Sequence, residues 1–581
     1  MRRHLAALLL ASALVPAPAL ALKPPPPNIV LIIADDWGFS DPGSYGSEMA
    51  TPTIDALARR GTRFANFHVA ASCSPTRAML LTGVNAHRAG LGNMPETIPP
   101  DHAGKPGYNA VLAPGVRTLA QRLHRSGYAT LYAGKWHLGH DAADLPTARG
   151  WDHALALSQS GADNWENKPN RLLYERADWT RDGKTARLPR RFYSSTLIVD
   201  EAIAQVGAVK DRPFFLTLGF LANHIPVQAS DADIARYRGR YDAGWTALRS
   251  DRAAGVARAG LLPAITPAAM DTTRSWPARD AAQRARWARA MEAYGGMATA
   301  MDRELGRLIA HLKASGQYDN TVFVFTSDNG AEATNPEANR FTTVNAHLQY
   351  DMAAEHQGQP GSFTYIGASW ASAAVSPLRG YKFSAWEGGV RVPFIVTLPP
   401  AMRAARGAVA SAPAHAVDLA PTLLDLAGVA ARDGLEGRSL LPALDDPAAV
   451  IHPENEAIGY ELSGNAVLYQ GRFKLVRNLP PYGDGAWHLH DIMADPGEQR
   501  DLAGSDPARL AAMQAGWAAW ARANQVLPMP AGYSAPQQIQ DNATRNLLPG
   551  RVAPLLASLW LLAVGLWVGR RWRRAQAGSN G

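Results

Sequence analysis

Cysteine is almost absent: Cys73 is the only one in 581 residues. An intramolecular disulfide is therefore excluded, and the fold must stand on its core alone. A basic stripe is missing too. Of the formal net charge of +8, seven charges come from arginines at the two ends (Arg2, Arg3, Arg551, Arg570, Arg571, Arg573 and Arg574), which leaves +1 for everything between. A nearly neutral middle offers phosphates no track, so nucleic acid drops out as a main partner. Internal repeats are lacking, and 47% hydrophobic with 19% charged residues is the composition of a folded chain rather than a disordered one. The length exceeds what one core usually organises, so two or more structural units are expected.

The ends carry the long apolar runs. Residues 1–21 have a basic head, an apolar stretch and the small-x-small site Ala19-Leu20-Ala21, and read as a secretory signal. Residues 22–27 form a proline-rich spacer. Residues 552–569 carry no charge over 18 positions, about 27 Å of helix at roughly 1.5 Å per residue. They read as a transmembrane helix, preceded by a linker over 528–551 and followed by a basic cytoplasmic tail over 570–581. On this reading the protein is exported and held at the periplasmic or extracytoplasmic face by a single C-terminal helix.

Between the ends, apolar runs rich in β-branched residues alternate with helical patterns, which predicts an α/β fold with a mostly parallel sheet. Four runs end in chemically able residues. Ile29–Ala34 leads to Asp35 and Asp36, Tyr128–Ala133 to Lys135 and His137, Pro213–Leu221 to His224, and Thr321–Phe325 to Asp328 and Asn329. Any one of these is ordinarily a turn, a cap or a solvated charge. Together they point to one pocket, because ligands of parallel sheets bind outside the carboxyl ends of the strands. From about Ala410 the pieces shorten, with a hairpin around Gly471 and a helix over Pro507–Ala523. The division expected is 28–409 for the catalytic unit and 410–527 for a smaller α+β unit with an antiparallel sheet.

Cys73 lies in A-S-C-S-P-T-R-A-M-L-L-T-G, from Ala71 to Gly83. Pro75 suits a first helical turn and Gly83 a stop, so Cys73 sits at a helix amino terminus with Arg77 one turn on. A lone thiol can be merely a small buried hydrophobe. Here three aspartates and an asparagine offer a hard, all-oxygen ligand set that suits Ca²⁺ or Mg²⁺ rather than zinc. Thiolate matches such a metal poorly, whereas an oxygen nucleophile would be natural.

C-S-P-T-R followed by A-M-L-L-T-G resembles the signature C-x-P-x-R-x-x-x-x-T-G of the type I sulfatases. D-D-W-G, G-K-W-H-L-G, P-F-F-L-T-L-G-F-L-A-N-H-I-P, T-S-D-N-G-A-E and Y-K-F-S-A-W-E-G-G-V-R-V-P are similar to further blocks of that family, in family order, over roughly Asn28 to Ala523. Two departures are a Leu-His-Asp ending at Asp491 and the Asn223 before His224. The resemblance implies an alkaline phosphatase-like fold, a large mixed sheet sandwiched by helices. It also implies hydrolysis of aryl-type sulfate esters to alcohol or phenol plus sulfate. Cys73 would be converted to Cα-formylglycine by a formylglycine-generating enzyme, and one hydroxyl of the hydrate would attack sulfur. Asp35, Asp36, Asp328 and Asn329 would hold one Ca²⁺, with residue 73 also facing it. Arg77 would orient the diol, Lys135 and Lys382 would neutralise sulfate oxygens, His224 with Lys382 would protonate the leaving oxygen, and His137 would be the base of the second step. Two rivals remain open: a phosphonate monoester or phosphodiester hydrolase of the same superfamily, and an inactive membrane-tethered protein that binds sulfate esters. The segment Asn335–Ala371 matches no block and is expected either to shape substrate access or to be a plain surface loop.

Overall fold

Strands that are apolar on both faces must be covered on both sides, and here they are. The computed structural model describes residues 25–209, 211–430 and 433–577. The expected signal over 1–21 lies outside them. Five parallel neighbours stand in the spatial order Thr321–Ser327, Asn28–Ala34, Phe214–Gly219, Ala129–Lys135 and His153–Leu157. Antiparallel strands Phe394–Thr397 on one flank and Trp179–Arg181 on the other, with three short strands beyond them, complete a ten-stranded mixed sheet. The four runs predicted to carry the site are thus four adjacent central strands.

Alternation along the first strand divides the interior into two cores. Val30 and Ile32 join Leu131, Phe325 and, from the long helix Ala281–Ala314, Met297 and Leu305. Ile29, Leu31 and Ile33 join Met79 and Leu81 of the helix Cys73–Thr82 and Leu423 of the helix Leu419–Leu426. All five side chains from Ile29 to Ile33 are wholly buried, each contributing roughly 1.5–3 kcal/mol. The long helix starts at a capping box in which Asp280 accepts from the Gln283 backbone and the Gln283 side chain returns to the Asp280 backbone.

The smaller unit is a four-stranded antiparallel sheet, Ala457–Leu462, Asn465–Gln470, Phe473–Arg477 and Trp487–Asp491, with the helix Pro507–Ala523 on one face. The hairpin expected around Gly471 is its central pair. Leu419, Leu423 and Leu424 belong to the core of the large sheet, so the second unit's own sheet begins only at Ala457.

The carboxyl end differs from expectation. One helix runs from Ala535 to Ala577, so the segment expected as a linker over 528–551 is helical from Ala535. Its first turns are polar, with Gln537, Gln538, Gln540, Asp541 and Asn542, and they lie on protein: Asn542 Nδ2 donates to the carbonyls of Glu96 and Ile98 at 3.0 and 3.1 Å. Among the described residues no helix is long and apolar enough to cross a membrane. This overturns the transmembrane helix expected over 552–569, the membrane as a partner, and the membrane-anchored location built on them. The stretch expected as a basic tail from Arg570 continues the same helix to Ala577.

Candidate active site

Strand register brings the polar residues together. Ala34 pairs with Ser327 and Ile33 with Gly219, which pairs in turn with Gly134, so Asp35, Asp328 and Lys135 emerge side by side. Gly134 has φ +116°, and a Cβ there would stand 1.9 Å from the Gly219 carbonyl oxygen. A Cβ on Gly219 would stand 2.5 Å from the Lys135 carbonyl oxygen and 3.1 Å from Arg77 Nη1, so the glycine there leaves room for Arg77 Nη1 to reach that carbonyl at 2.9 Å. Asp36, His137 and Phe383 all hold positive φ, at 62°, 55° and 70°. Strained backbone of this kind gathers at functional sites.

At the centre is Cys73, wholly buried at the amino terminus of its helix. Its Sγ lies 3.6 Å from Asp35 Oδ1 and 3.9 Å from Asp36 Oδ1. Asp35, Asp36, Cys73 and Asp328 each place a ligand atom within 4.8 Å of the others. Asn329 Nδ2 donates to Asp36 Oδ1 at 2.7 Å, while Asn329 Oδ1 is buried without a partner. Burial pushes the Cys73 thiol well up, and Asp328 adds to that push. The Asp35 carboxyl is also driven well up, by burial first, with Lys135 opposing and Asp328 and Asp36 reinforcing. Three buried carboxylates and an orphaned amide oxygen form the hard-oxygen set that a Ca²⁺ or Mg²⁺ ion fits.

Cations ring this cluster. Arg77 Nε donates to Asp328 Oδ2 at 2.8 Å. Burial works against the ionised Asp328, but Arg77, Lys135 and Lys382 together hold its carboxyl well below the usual range. Lys135 Nζ contacts both oxygens of Asp35 at 2.8 and 2.7 Å. Lys382 Nζ lies 2.7 Å from Asp36 Oδ1 and 2.9 Å from Glu332 Oε2.

The two histidines sit differently. His224 Nδ1 bonds the Ile225 carbonyl at 2.7 Å, and Nε2 faces Asp36 Oδ2 at 3.8 Å. Burial, then Lys135 and Lys382, lower its pKa well below the usual histidine value. His137 stands against Glu96, Nε2 to Oε1 at 3.3 Å, and its Nδ1 is buried without a partner. Glu96 also accepts from the Tyr174 hydroxyl.

Sequence reasoning missed Glu332 and Glu96. Glu332 lies three residues past Asn329 in T-S-D-N-G-A-E, where nothing in the sequence separates it from a solvated loop carboxylate. Glu96 belongs to a short turn, Pro95–Thr97, and nothing local marks it. A cavity of about 480 Å³ opens from His224, Glu332 and Lys382. Asn335, Thr342 and Phe363, from the unassigned segment, line it, so part of that segment borders the cavity.

A family model described as Sulfatase matches residues 27–429. The chain belongs to the sulfatase family. A second model, N-sulphoglucosamine sulphohydrolase, C-terminal, matches residues 381–515 of this sulfatase, so the helix from Ala535 lies beyond both matched regions. An uncharacterized sulfatase of Schizosaccharomyces pombe is 34% identical over 88% of this chain and 96% of its own. An arylsulfatase of Klebsiella aerogenes is 33% identical over 74% of this chain and 92% of its own. Among solved structures, Ps i-CgsB in complex with k-i-k-neocarrahexaose superposes with a TM-score of 0.63 at 25% identity, covering 88% of this chain and 96% of that one. This sulfatase is accordingly a sulfate ester hydrolase with the alkaline phosphatase-like fold and an added C-terminal sheet.

Proposed function

We propose that this sulfatase cleaves its ester with a nucleophile derived from Cys73 on a Ca²⁺ site made by Asp35, Asp36, Asp328 and Asn329. The observation that carries the reading is the packing of those carboxylates around Cys73 Sγ with Asn329 Oδ1 left unpartnered. Charge supports it. Asp35, Asp36, Asp328 and Glu332 outnumber Arg77, Lys135 and Lys382 by one. A divalent cation and the single negative charge of a sulfate ester bring the buried site to neutrality, the condition for burying so many charges cheaply.

Calcium, when bound, would supply Lewis-acid stabilisation of developing negative charge, and formylglycine in place of Cys73 would supply the oxygen nucleophile that a buried thiol flanked by two carboxylates does not. The chain's own residues do the rest. Arg77, fixed by Asp328 and the Lys135 carbonyl, orients residue 73. Lys135 and Lys382 hold the sulfate oxygens by charge-assisted hydrogen bonds. Lys382 Nζ–H, at the junction with the cavity, donates to the leaving oxygen; His224, whose Nδ1–H is held by the Ile225 carbonyl, shares that role once Nε2 has taken up a proton. With Glu96 accepting from Nε2–H, His137 keeps Nδ1 as a proton acceptor, the state a base needs. Glu96 is thus a positioning residue for His137.

The test is hydrolysis of nitrophenyl sulfate beside phenyl phosphonate by protein produced with a formylglycine-generating enzyme. Turnover of the sulfate in preference to the phosphonate, lost on chelation and restored by Ca²⁺, is expected. Preference for the phosphonate, or activity indifferent to chelation, would overturn the reading.

A further inference from the structure

The cavity that leads to the candidate active site has an asymmetric lining. Its charged groups, Glu96, His224, Glu332 and Lys382, all belong to the site just described. Beyond them the walls are mostly apolar, with Met94, Leu172, Phe363, Phe383 and Tyr482 from the catalytic and C-terminal units. A pocket for a polysulfated or acidic sugar would need further cations to meet the further anions. Here none remain.

One wall comes from an unexpected element. Pro536, Ile539, Ala543 and Leu547, at the start of the helix Ala535–Ala577, line the cavity together with Phe383. The helix is fixed there. Asn542 bonds the carbonyls of Glu96 and Ile98, the Tyr533 hydroxyl donates to the Thr97 carbonyl at 2.7 Å, and Asn339 Nδ2 donates to Gln540 Oε1 at 3.1 Å. Ile539 packs on a small cluster that includes Ala71, Met94 and Phe383. Leu547 is nearly buried. The same turn that holds Glu96 against His137 therefore also holds the helix over the pocket.

We propose that the first turns of the C-terminal helix are a specificity element, and that this sulfatase takes sulfate esters of bulky apolar alcohols, medium-chain alkyl or fused-ring, whose hydrocarbon is read by Ile539, Leu547 and the facing aromatic residues. The inference rests on the reading of the charged cluster as the sulfate site. A cavity near 480 Å³ falls within the usual range for drug-sized ligands, roughly 300–1,000 Å³.

The test uses two linear series with the full chain. Alkyl sulfonates from methyl to octyl, which are not hydrolysed, are titrated by calorimetry. Butyl to octyl sulfates and glucose 6-sulfate are compared by kcat/KM. Affinity and kcat/KM should each rise roughly three- to fourfold per methylene until the cavity is full, with octyl sulfate well ahead of glucose 6-sulfate. Ile539→Asp, checked for native circular dichroism, should flatten both series. Flat sulfonate affinities, or glucose 6-sulfate ahead of octyl sulfate, would overturn the apolar pocket. Sulfonates that discriminate by length while no sulfate ester turns over would support the pocket and overturn the catalytic reading instead.

Discussion

At the scale of single residues, Lys135 ties substrate charge to the ligand cluster. Its ammonium lies between both oxygens of Asp35 and belongs to the same strand whose carbonyl anchors Arg77. Lys135→Ala should lower kcat by about 10²- to 10³-fold, the usual cost of deleting one donor aimed at developing charge, while a nearly wild-type melting temperature is not expected, since Asp35 loses its counter-ion. Initial rates on nitrophenyl sulfate check the first part and a thermal melt the second. The residues named from sequence, Asp35, Asp36, Cys73, Arg77, Lys135, His224, Asp328, Asn329 and Lys382, do come together. Most were legible because they follow a buried strand or open a helix at a recognisable spacing; Lys382, in a turn, was legible only through the resemblance of Y-K-F-S-A-W-E-G-G-V-R-V-P to a family block. His137 was legible as a residue, but not its partner: Glu96 reaches it only through tertiary folding of the 95–97 turn. Glu332 escaped because a glutamate in a glycine-containing loop is ordinarily solvated.

Among elements, the turn at Glu387 links the site to the C-terminal sheet. Glu387 Oε1 accepts from Lys474 Nζ at 2.8 Å and from the Tyr469 hydroxyl at 3.0 Å, while its Oε2 meets His68 Nε2 at 2.9 Å and Arg391 Nη1 at 3.2 Å. Lys474 also pairs with Glu498 at 2.8 Å. Every one of these side chains is nearly or wholly inaccessible. Lys474→Met should therefore cost about 3–5 kcal/mol, because it leaves buried carboxylates short of a cation; urea unfolding measures it, and a loss under 1 kcal/mol would show the network to be slack. The strands were readable as continuous apolar runs, and the hairpin around Gly471 and the helix Pro507–Ala523 from turn residues and periodicity. The helix from Ala535 was not. Its opening turns set a narrow apolar stripe, Pro536, Ile539, Ala543 and Leu547, among glutamines, asparagines and an aspartate, and what orders it is contact with the 95–98 turn, a distant part of the chain.

Across the whole molecule, a buried ion pair on one side of the sheet gives stability a pH dependence. Glu48 is buried, which alone would raise its carboxyl, but Arg252, from the helix Gly244–Arg258, outweighs this and holds it at about 2, below its ordinary value of 4.5. A depressed folded-state value means that the stabilisation is fully present above pH 4.5 and is lost as pH falls toward 2. The loss amounts to about 3 kcal/mol, from roughly 1.4 kcal/mol per pH unit. Melting temperatures of the protein and of Glu48→Gln should converge on acidification through that window; parallel curves would remove Glu48 as the cause. The fold class was legible because alternation of strands and helices constrains topology strongly. The membrane anchor was misjudged because an uncharged run of 18 residues was read by itself, whereas the helix that contains it starts 17 residues earlier, docked on the active-site cavity.

The central claim is that residue 73 acts as an oxygen nucleophile made from cysteine. Mass spectrometry of the peptide spanning Ala71–Gly83, on protein of measured specific activity produced with and without a formylglycine-generating enzyme, tests it directly. The account predicts a peptide in which one oxygen has replaced sulfur and two hydrogens at Cys73, with activity on nitrophenyl sulfate proportional to the converted fraction. Full activity in protein whose Cys73 still carries an intact thiol would contradict it.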